Sequence, residues 1–163
     1  MMRVIQGDFS DERVANLLRV HTTRAKAETA RGSAHALDLA ALQSPDISFW
    51  TIWDDETLLG FGALKRLSAD HGEIKSMHIA DALRRRGAGS AILRHIITTA
   101  RARGMSRLSL ETGSWDYFRP ARELYRRHGF SECPPFADYL PDRNSVFMSL
   151  DLRESSSESH SAL

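Results

Sequence analysis

The sequence predicts a mixed α/β domain in which one twisted sheet is covered on both faces by helices. Three observations carry that expectation. Several short segments alternate apolar and polar residues, or run apolar throughout, between turn residues, which is the pattern of strands. Two segments in the second half instead repeat their apolar residues at helical spacing and stop at a glycine, as amphipathic helices do. The 163 residues, 42% hydrophobic and 26% charged, suit one buried core rather than a disordered or membrane-spanning chain.

Residues 3–6 open the chain as a short strand. Ser10 or Asp11 then caps a helix on which Val14, Leu17, Leu18 and His21 recur at helical spacing. The polar run TTRAKAETARGS, 22–33, has no period and is expected to be a flexible connection. HALDLAAL, 35–42, is a second helical patch. ISFWTIW, 47–53, and TLLGFGALKRL, 57–67, read as two strands joined by a tight turn, and GEIKSMHIA, 72–80, as another. Ile92, Leu93, Ile96, Ile97 and Ala100 form the stripe of the strongest helix, ending at Gly104. SRLSLE, 106–111, alternates Leu108 and Leu110 against Arg107, Ser109 and Glu111 and is a strand. The next helix carries Tyr117, Phe118, Ala121, Leu124, Tyr125 and His128 and closes at Gly129. SVFMSLDL, 145–152, supplies the last strand. Residues 153–163, RESSSESHSAL, are too polar and serine-rich to pack, so the domain is expected to span 1–152 with a flexible tail at 153–163.

Composition narrows the function. Twenty-two basic and 21 acidic side chains leave a net charge of +1, so no global field draws nucleic acid or an acidic membrane, and any anion site must be local. The single cysteine, Cys133, cannot form an internal disulfide and has no zinc-type cluster around it, so no metal is expected. The opening MMRVIQGDFSDER lacks the apolar core of a signal peptide, and no run reaches the roughly 20 apolar residues that span a bilayer. A cytoplasmic protein without membrane contact is the expectation.

A local anion site is written into LRRRGAGSAIL, 83–93. It lies between a strand and a helix, where main-chain N–H groups point out of the helix N-terminus with about half a positive charge. Gly87 and Gly89 let a diphosphate approach without a Cβ in the way, and Arg84, Arg85 and Arg86 can add charge-assisted contacts. A Walker loop is excluded because no Gly-Lys-Ser/Thr ending follows, and a Rossmann turn fits poorly because its third glycine is missing.

Arg84, Gly87 and Gly89 match Q/R-x-x-G-x-G/A, and ARELYRRHGF, 121–130, matches A-x-x-L-Y-x-x-x-G-F at the expected distance. In these two ordered motifs the chain resembles the GNAT superfamily of acetyl-CoA-dependent N-acetyltransferases. The resemblance extends over residues 3–152 and is strongest from Glu73 to Phe130. It implies a central twisted mixed sheet of about six or seven strands with helices on both faces. It further implies acetyl-CoA as co-substrate, a primary amine of a small molecule or peptide as acceptor, direct transfer in a ternary complex, no nucleic-acid partner, and room for a homodimer. Where many relatives carry Asn three residues before the Ala of the second motif, this chain has Phe118, which removes a side-chain hydrogen bond to the pantetheine arm.

Acetyl transfer to an amine needs a base for the ammonium proton, a polarised carbonyl and a proton for the departing thiolate. By resemblance, main-chain groups from Arg84, Arg85, Arg86, Gly87, Ala88, Gly89 and Ser90 hold the coenzyme A pyrophosphate. Those of Met77, His78 and Ile79 hold pantetheine and the acetyl carbonyl, and Tyr125 protonates the thiolate. Glu73, eleven residues before Arg84, has the spacing of a catalytic glutamate in some relatives, with Glu111 as the other candidate base and pairing with Lys75 as the plain structural role of Glu73. Strand alternation puts His78 on the face opposite Glu73, Lys75 and Met77. Cys133 has no evident basic partner and reads as a packed thiol, His128 as a residue at a helix C-terminus, and Trp50 and Trp53 as sheet packing. Trp115 either lines the acceptor pocket or covers the core. The loop 136–145, with Asp138, Tyr139, Asp142 and Asn144, closes the acceptor side in relatives. A protein keeping the phosphate loop without a working base, an acyl-CoA sensor, is the alternative.

Overall fold

The computed structural model describes residues 1–27, 39–80 and 87–153. Among the described residues seven strands make one mixed sheet: β1 (Met2–Gln6), β2 (Ile47–Asp54), β3 (Thr57–Arg66), β4 (His71–Ile79), β5 (Arg107–Gly113), β6 (Ser131–Glu132) and β7 (Ser145–Asp151). Their spatial order is β1-β2-β3-β4-β5-β7-β6. Only β4 and β5 run parallel, because the chain crosses between them through α3 (Ala88–Ala102). The other helices are α1 (Glu12–Ala27), α2 (Leu39–Leu42) and α4 (Arg119–Arg127).

Each helix lies on the face its apolar stripe demands. Ile92, Leu93, Ile96 and Ala100 of α3 are fully buried, packing with Tyr125 of α4 against Ile52, Leu59, Leu64, Ile74 and Leu110 of the sheet. Val14 and Leu18 of α1 and Leu42 of α2 cover the other face over Phe49, Phe61 and Ala63. Burying each large aliphatic side chain contributes about 1.5–3 kcal/mol, so the two apolar layers carry the fold.

Four sequence expectations need correction or restriction. The run 22–33 is not a connection from its start: α1 continues to Ala27, since Arg24, Ala25, Lys26 and Ala27 are good helix formers even without an apolar stripe. Of the patch 35–42, residues 39–42 are helical and 35–38 lie outside the described residues, as do 28–33, Arg84, Arg85, Arg86 and 154–163. Tyr117 and Phe118 do not open α4. They sit in a 3-10 turn, Asp116–Phe118, and α4 starts at Arg119 with Pro120 in its first turn, where a missing N–H costs no helical bond.

The fourth correction concerns β4. Register with β3 shifts between Phe61 and Ala63, so that Lys75 pairs with Ala63 but His78 pairs with Phe61. Ser76, at φ 52°, is the residue that absorbs the extra length. Alternation is reset there. His78 therefore joins Glu73 and Lys75 on the α1 face, its ring 5.7 Å from that of Phe61, while Met77 and Ile79 pack toward α3.

Candidate active site

β4 and β5 pair from His71–Arg107 to Ile74–Leu110 and then part, although β4 runs on to Ile79 and β5 to Gly113. Past that last rung a cavity of about 560 Å³ opens. The end of β4 lines it through Met77, His78 and Ile79, the first turn of α3 through Gly87, Ala88, Gly89 and Ser90, and α4 through Ala121, Leu124 and Tyr125. The cofactor-binding and acid candidates that lie within the described residues thus share one cavity.

Gly87 is the N-cap of α3 at φ 83°, a left-handed conformation that side-chain-bearing residues adopt at a cost. Its carbonyl accepts from the N–H of Ala91 at 3.0 Å, which starts the helical ladder. The amides of Ala88, Gly89 and Ser90 precede that bond and have no carbonyl partner within the helix. They form a natural seat for an anionic group. A Cβ on Gly89 would come within 3.1 Å of the Leu124 side chain, so glycine there sets how closely α3 and α4 approach. His128, at the C-cap of α4, brings Nε2 to 3.1 Å from Ser90 Oγ and thus touches this turn, beyond its expected place at a helix end. Burial holds the His128 imidazole below its ordinary range, so it stands neutral beside Ser90.

Tyr125 is buried, and burial, helped by the charge of Glu111, pushes its phenol well above the ordinary tyrosine value. It is protonated at neutral pH. Phe118, which lines the cavity, lies over Gly113 at the end of β5, where any Cβ would fall inside its ring.

His21 of α1 also reaches the cavity, its ring 4.9 Å from that of His78 and 5.3 Å from that of Phe61. Burial, and then the neighbouring His78, lowers its pKa to about 3, so it is a neutral imidazole at any working pH. The sequence presents it as one position of an apolar stripe. A histidine in such a stripe was the available signal.

Glu73 is elsewhere. It is 3% exposed, on a rung where β4 and β5 are still paired, and lies outside the cavity wall. Its Oε2 accepts from Tyr139 Oη at 2.6 Å and lies 3.4 Å from Lys75 Nζ, which itself donates to Tyr139 Oη at 2.8 Å. Glu111 stands one residue past the last rung of β5. Burial raises it from an ordinary 4.5 to about 7, against smaller opposing pulls from the Ser145 hydroxyl and Lys75.

Glu111, like Glu73, is not part of the cavity's lining, and the remaining candidates also fall outside it. Trp115 is 40% exposed and donates from Nε1 to Asn144 Oδ1 at 2.8 Å, tying the start of the 3-10 turn to the 136–145 loop. Cys133 Sγ lies 3.2 Å from Ser149 Oγ, which continues through Ser109 Oγ at 2.8 Å to His71 Nε2 at 2.7 Å, so a basic group does stand at the end of a hydroxyl chain. Among the described residues no group of three His, Cys, Asp or Glu side chains is arranged to hold a metal ion.

Known proteins share this architecture. The acetyltransferase (GNAT) family profile matches residues 14–130. The chain is 44% identical to the uncharacterized N-acetyltransferase YedL of Escherichia coli (strain K12) over 94% of its length and 97% of the relative's. It is 45% identical to the uncharacterized N-acetyltransferase YsnE of Bacillus subtilis (strain 168) over 93% and 100%. Among solved structures, one from Klebsiella pneumoniae provisionally assigned as an acyl-CoA N-acyltransferase superposes with a TM-score of 0.78 at 27% identity, covering 93% of this chain and 98% of that one. A Bacillus subtilis acetyltransferase solved in complex with CoA shares the fold, with a TM-score of 0.67 at 18% identity over 93% and 99%. With its profile match over residues 14–130 and two relatives matched over nearly their whole length, the chain belongs to the acetyltransferase (GNAT) family and is an N-acetyltransferase.

Proposed function

We propose that the protein transfers an acetyl group directly from acetyl-CoA to a primary amine of a small molecule or peptide, with both substrates bound at once. The observation that carries this reading is the cavity that joins the first-turn amides of α3, the end of β4 and the Tyr125 side chain at the parting of β4 and β5. Acetyl-CoA supplies the activated acyl thioester. The seat at Gly87–Ser90 receives its pyrophosphate, a role the resemblance assigns also to Arg84, Arg85 and Arg86, and the main chain at Met77, His78 and Ile79 receives the pantetheine and acetyl carbonyl. A backbone N–H aimed at the developing oxyanion contributes on the order of 10²-fold in rate or more.

Tyr125 gives its phenolic proton to the departing sulfur. The phenol is protonated at neutral pH and so has a proton to give, and burial beside Glu111 makes it a weaker acid than a free tyrosine. For the base, Glu111 is the better choice over Glu73. Glu73 is committed to Tyr139 and Lys75 beneath the sheet's paired rungs, whereas Glu111 lies past the last rung with an affinity for protons near working pH. Glu111 Oε takes a proton from the acceptor's ammonium, through a water where the distance requires one, and the amine then attacks the acetyl carbon.

Titration calorimetry with acetyl-CoA tests the first half of this reading: saturable binding is expected, and no heat at millimolar ligand ends it. A panel of primary amines incubated with isotopically labelled acetyl-CoA and read by mass spectrometry tests the second. Tight cofactor binding with no acetylated product across amino acids, polyamines and peptide N-termini would remove the transfer reading.

A further inference from the structure

One stretch of the cavity wall is built from a turn. Tyr117 and Phe118, in the 3-10 turn Asp116–Phe118, both line the cavity, their rings edge to face with centroids 5.0 Å apart. The Phe118 ring is seated on the bare backbone of Gly113, and Gly113 is itself fixed in the sheet, paired with Ser145 of β7. The Phe118 N–H donates to the Trp115 carbonyl at 2.9 Å. On the side of the 136–145 loop, Ser114 donates from its N–H to the Asn144 carbonyl at 3.1 Å and from its hydroxyl to the Arg143 carbonyl at 2.8 Å, and the Trp115 indole donates to Asn144 Oδ1. Those bonds end at Ser114 and the Trp115 side chain. Arg122, one turn into α4, reaches back across the seat: its Nη1 donates to the Gly113 carbonyl at 2.7 Å and to the Trp115 carbonyl at 3.0 Å. The first belongs to the residue under the Phe118 ring, and the second is the carbonyl on which the Phe118 N–H already hangs. One guanidinium nitrogen spans both ends of the seat.

Resting on the reading that acetyl-CoA fills the cavity, we propose that Arg122 is a positioning residue: it holds Phe118 on Gly113 and so keeps an aromatic wall in place for the methyl and methylene groups of the pantetheine arm. Arg122 is not part of the cavity's lining, so it acts through Phe118 and not on the ligand. Arginine suits the task because each terminal nitrogen carries two N–H donors in a fixed plane, and bonds from a charged donor are the stronger kind. Without the guanidinium, Gly113 stays in the sheet and Ser114 stays on the loop. The Trp115 carbonyl loses its tie to α4 and to Gly113, and the ring that follows it is free to leave its seat.

Two measurements test this, and neither needs an acceptor. The Gly113 Hα protons lie against the Phe118 ring, whose ring current displaces their NMR resonance; Phe118→Leu identifies the displaced signal by moving it. In Arg122→Ala, without ligand, the Gly113 signal is expected to move most of the way to its Phe118→Leu position. An unmoved signal in folded Arg122→Ala overturns the proposal. In calorimetry, Arg122→Ala should weaken acetyl-CoA binding by about tenfold, the scale of losing bonds from a charged donor. In a Phe118→Leu background the same change should add almost nothing, because there is no ring left to seat. An equal loss in both backgrounds overturns the proposal, since Arg122 would then act on the ligand or on α4 at large. Should Arg122→Ala fail to fold, Arg122→Gln, too short to span the two carbonyls, carries the same expectations and is overturned the same way. Should the parent itself bind no acetyl-CoA, the proposed function falls and the pantetheine role with it, while the Gly113 signal still decides whether Arg122 seats Phe118.

Discussion

Glu111 concentrates the conflict between stability and activity in one side chain. Its folded pKa, about 7, lies above the ordinary 4.5, so the folded protein binds the proton more tightly than the unfolded chain does. The stability this contributes is complete below pH 4.5 and is lost as pH rises through 7, while the ionised form that can act as a base appears over the same interval. Two outcomes are expected. The rate at limiting substrate should rise with pH to a plateau above about 7, as measured by kcat/KM across buffers. Glu111→Gln should lower kcat by about 10²–10⁴-fold yet melt higher than the parent at pH 8, by on the order of 1–2 kcal/mol, with the gain gone at pH 5; scanning fluorimetry at the two pH values reads it. Tyr125→Phe removes only a hydroxyl. It should reduce turnover by a comparable factor and leave acetyl-CoA affinity nearly unchanged, and equal turnover would take Tyr125 out of the mechanism.

At the scale of elements, α3 has two jobs separated along its length. Its first turn presents amides from a glycine at φ 83°, and its middle buries an unbroken isoleucine and leucine stripe. Substitutions should separate the two. Gly87→Ala places a Cβ in a left-handed conformation at a cost of about 1 kcal/mol. It should weaken acetyl-CoA binding in calorimetry more than it lowers the melting temperature. Ile96→Ala leaves a void between α3 and β3, where Gly62 has its Cα side filled by that isoleucine, and should destabilise by roughly 2–5 kcal/mol in denaturant titration. The bulge at Ser76 does comparable work in β4. By resetting alternation it sends Met77 and Ile79 to the cavity's α3 side and His78 to its α1 side, so one strand end lines both walls.

At the scale of the whole molecule, β4 and β5 part after Ile74–Leu110, and the cavity is walled by the end of β4 that runs on past that point. A ligand seated there ties α3 and α4 to the end of β4. Binding to the folded state alone at a hundredfold excess over Kd stabilises by about 2.7 kcal/mol, which should appear as a raised melting temperature with acetyl-CoA. Hydrogen exchange should slow at Gly87–Ser90 and Met77–Ile79 and stay unchanged at the β1–β2 edge of the sheet. Protection spread evenly over the sheet would place the ligand elsewhere.

Much of this was readable in advance. The isoleucine stripe of α3, its stop before Gly104, the alternation in β5 and the two glycine-bearing motifs are local patterns, and local patterns determine which segments are helix or strand and where an anion can dock. Distances between carboxylates are not local. The sequence by itself determined a mixed sheet with helices on both faces, and it marked 84–90 as the expected anion seat. Only the tertiary structure decided that Ser76 shifts the register of β4 and that Tyr139 and Lys75 close on Glu73. It also decided that Glu111, one rung beyond, keeps its proton to about pH 7. The physical reason is that a pairing pattern resets at a single residue, and a charge is governed by whichever distant segment folds against it.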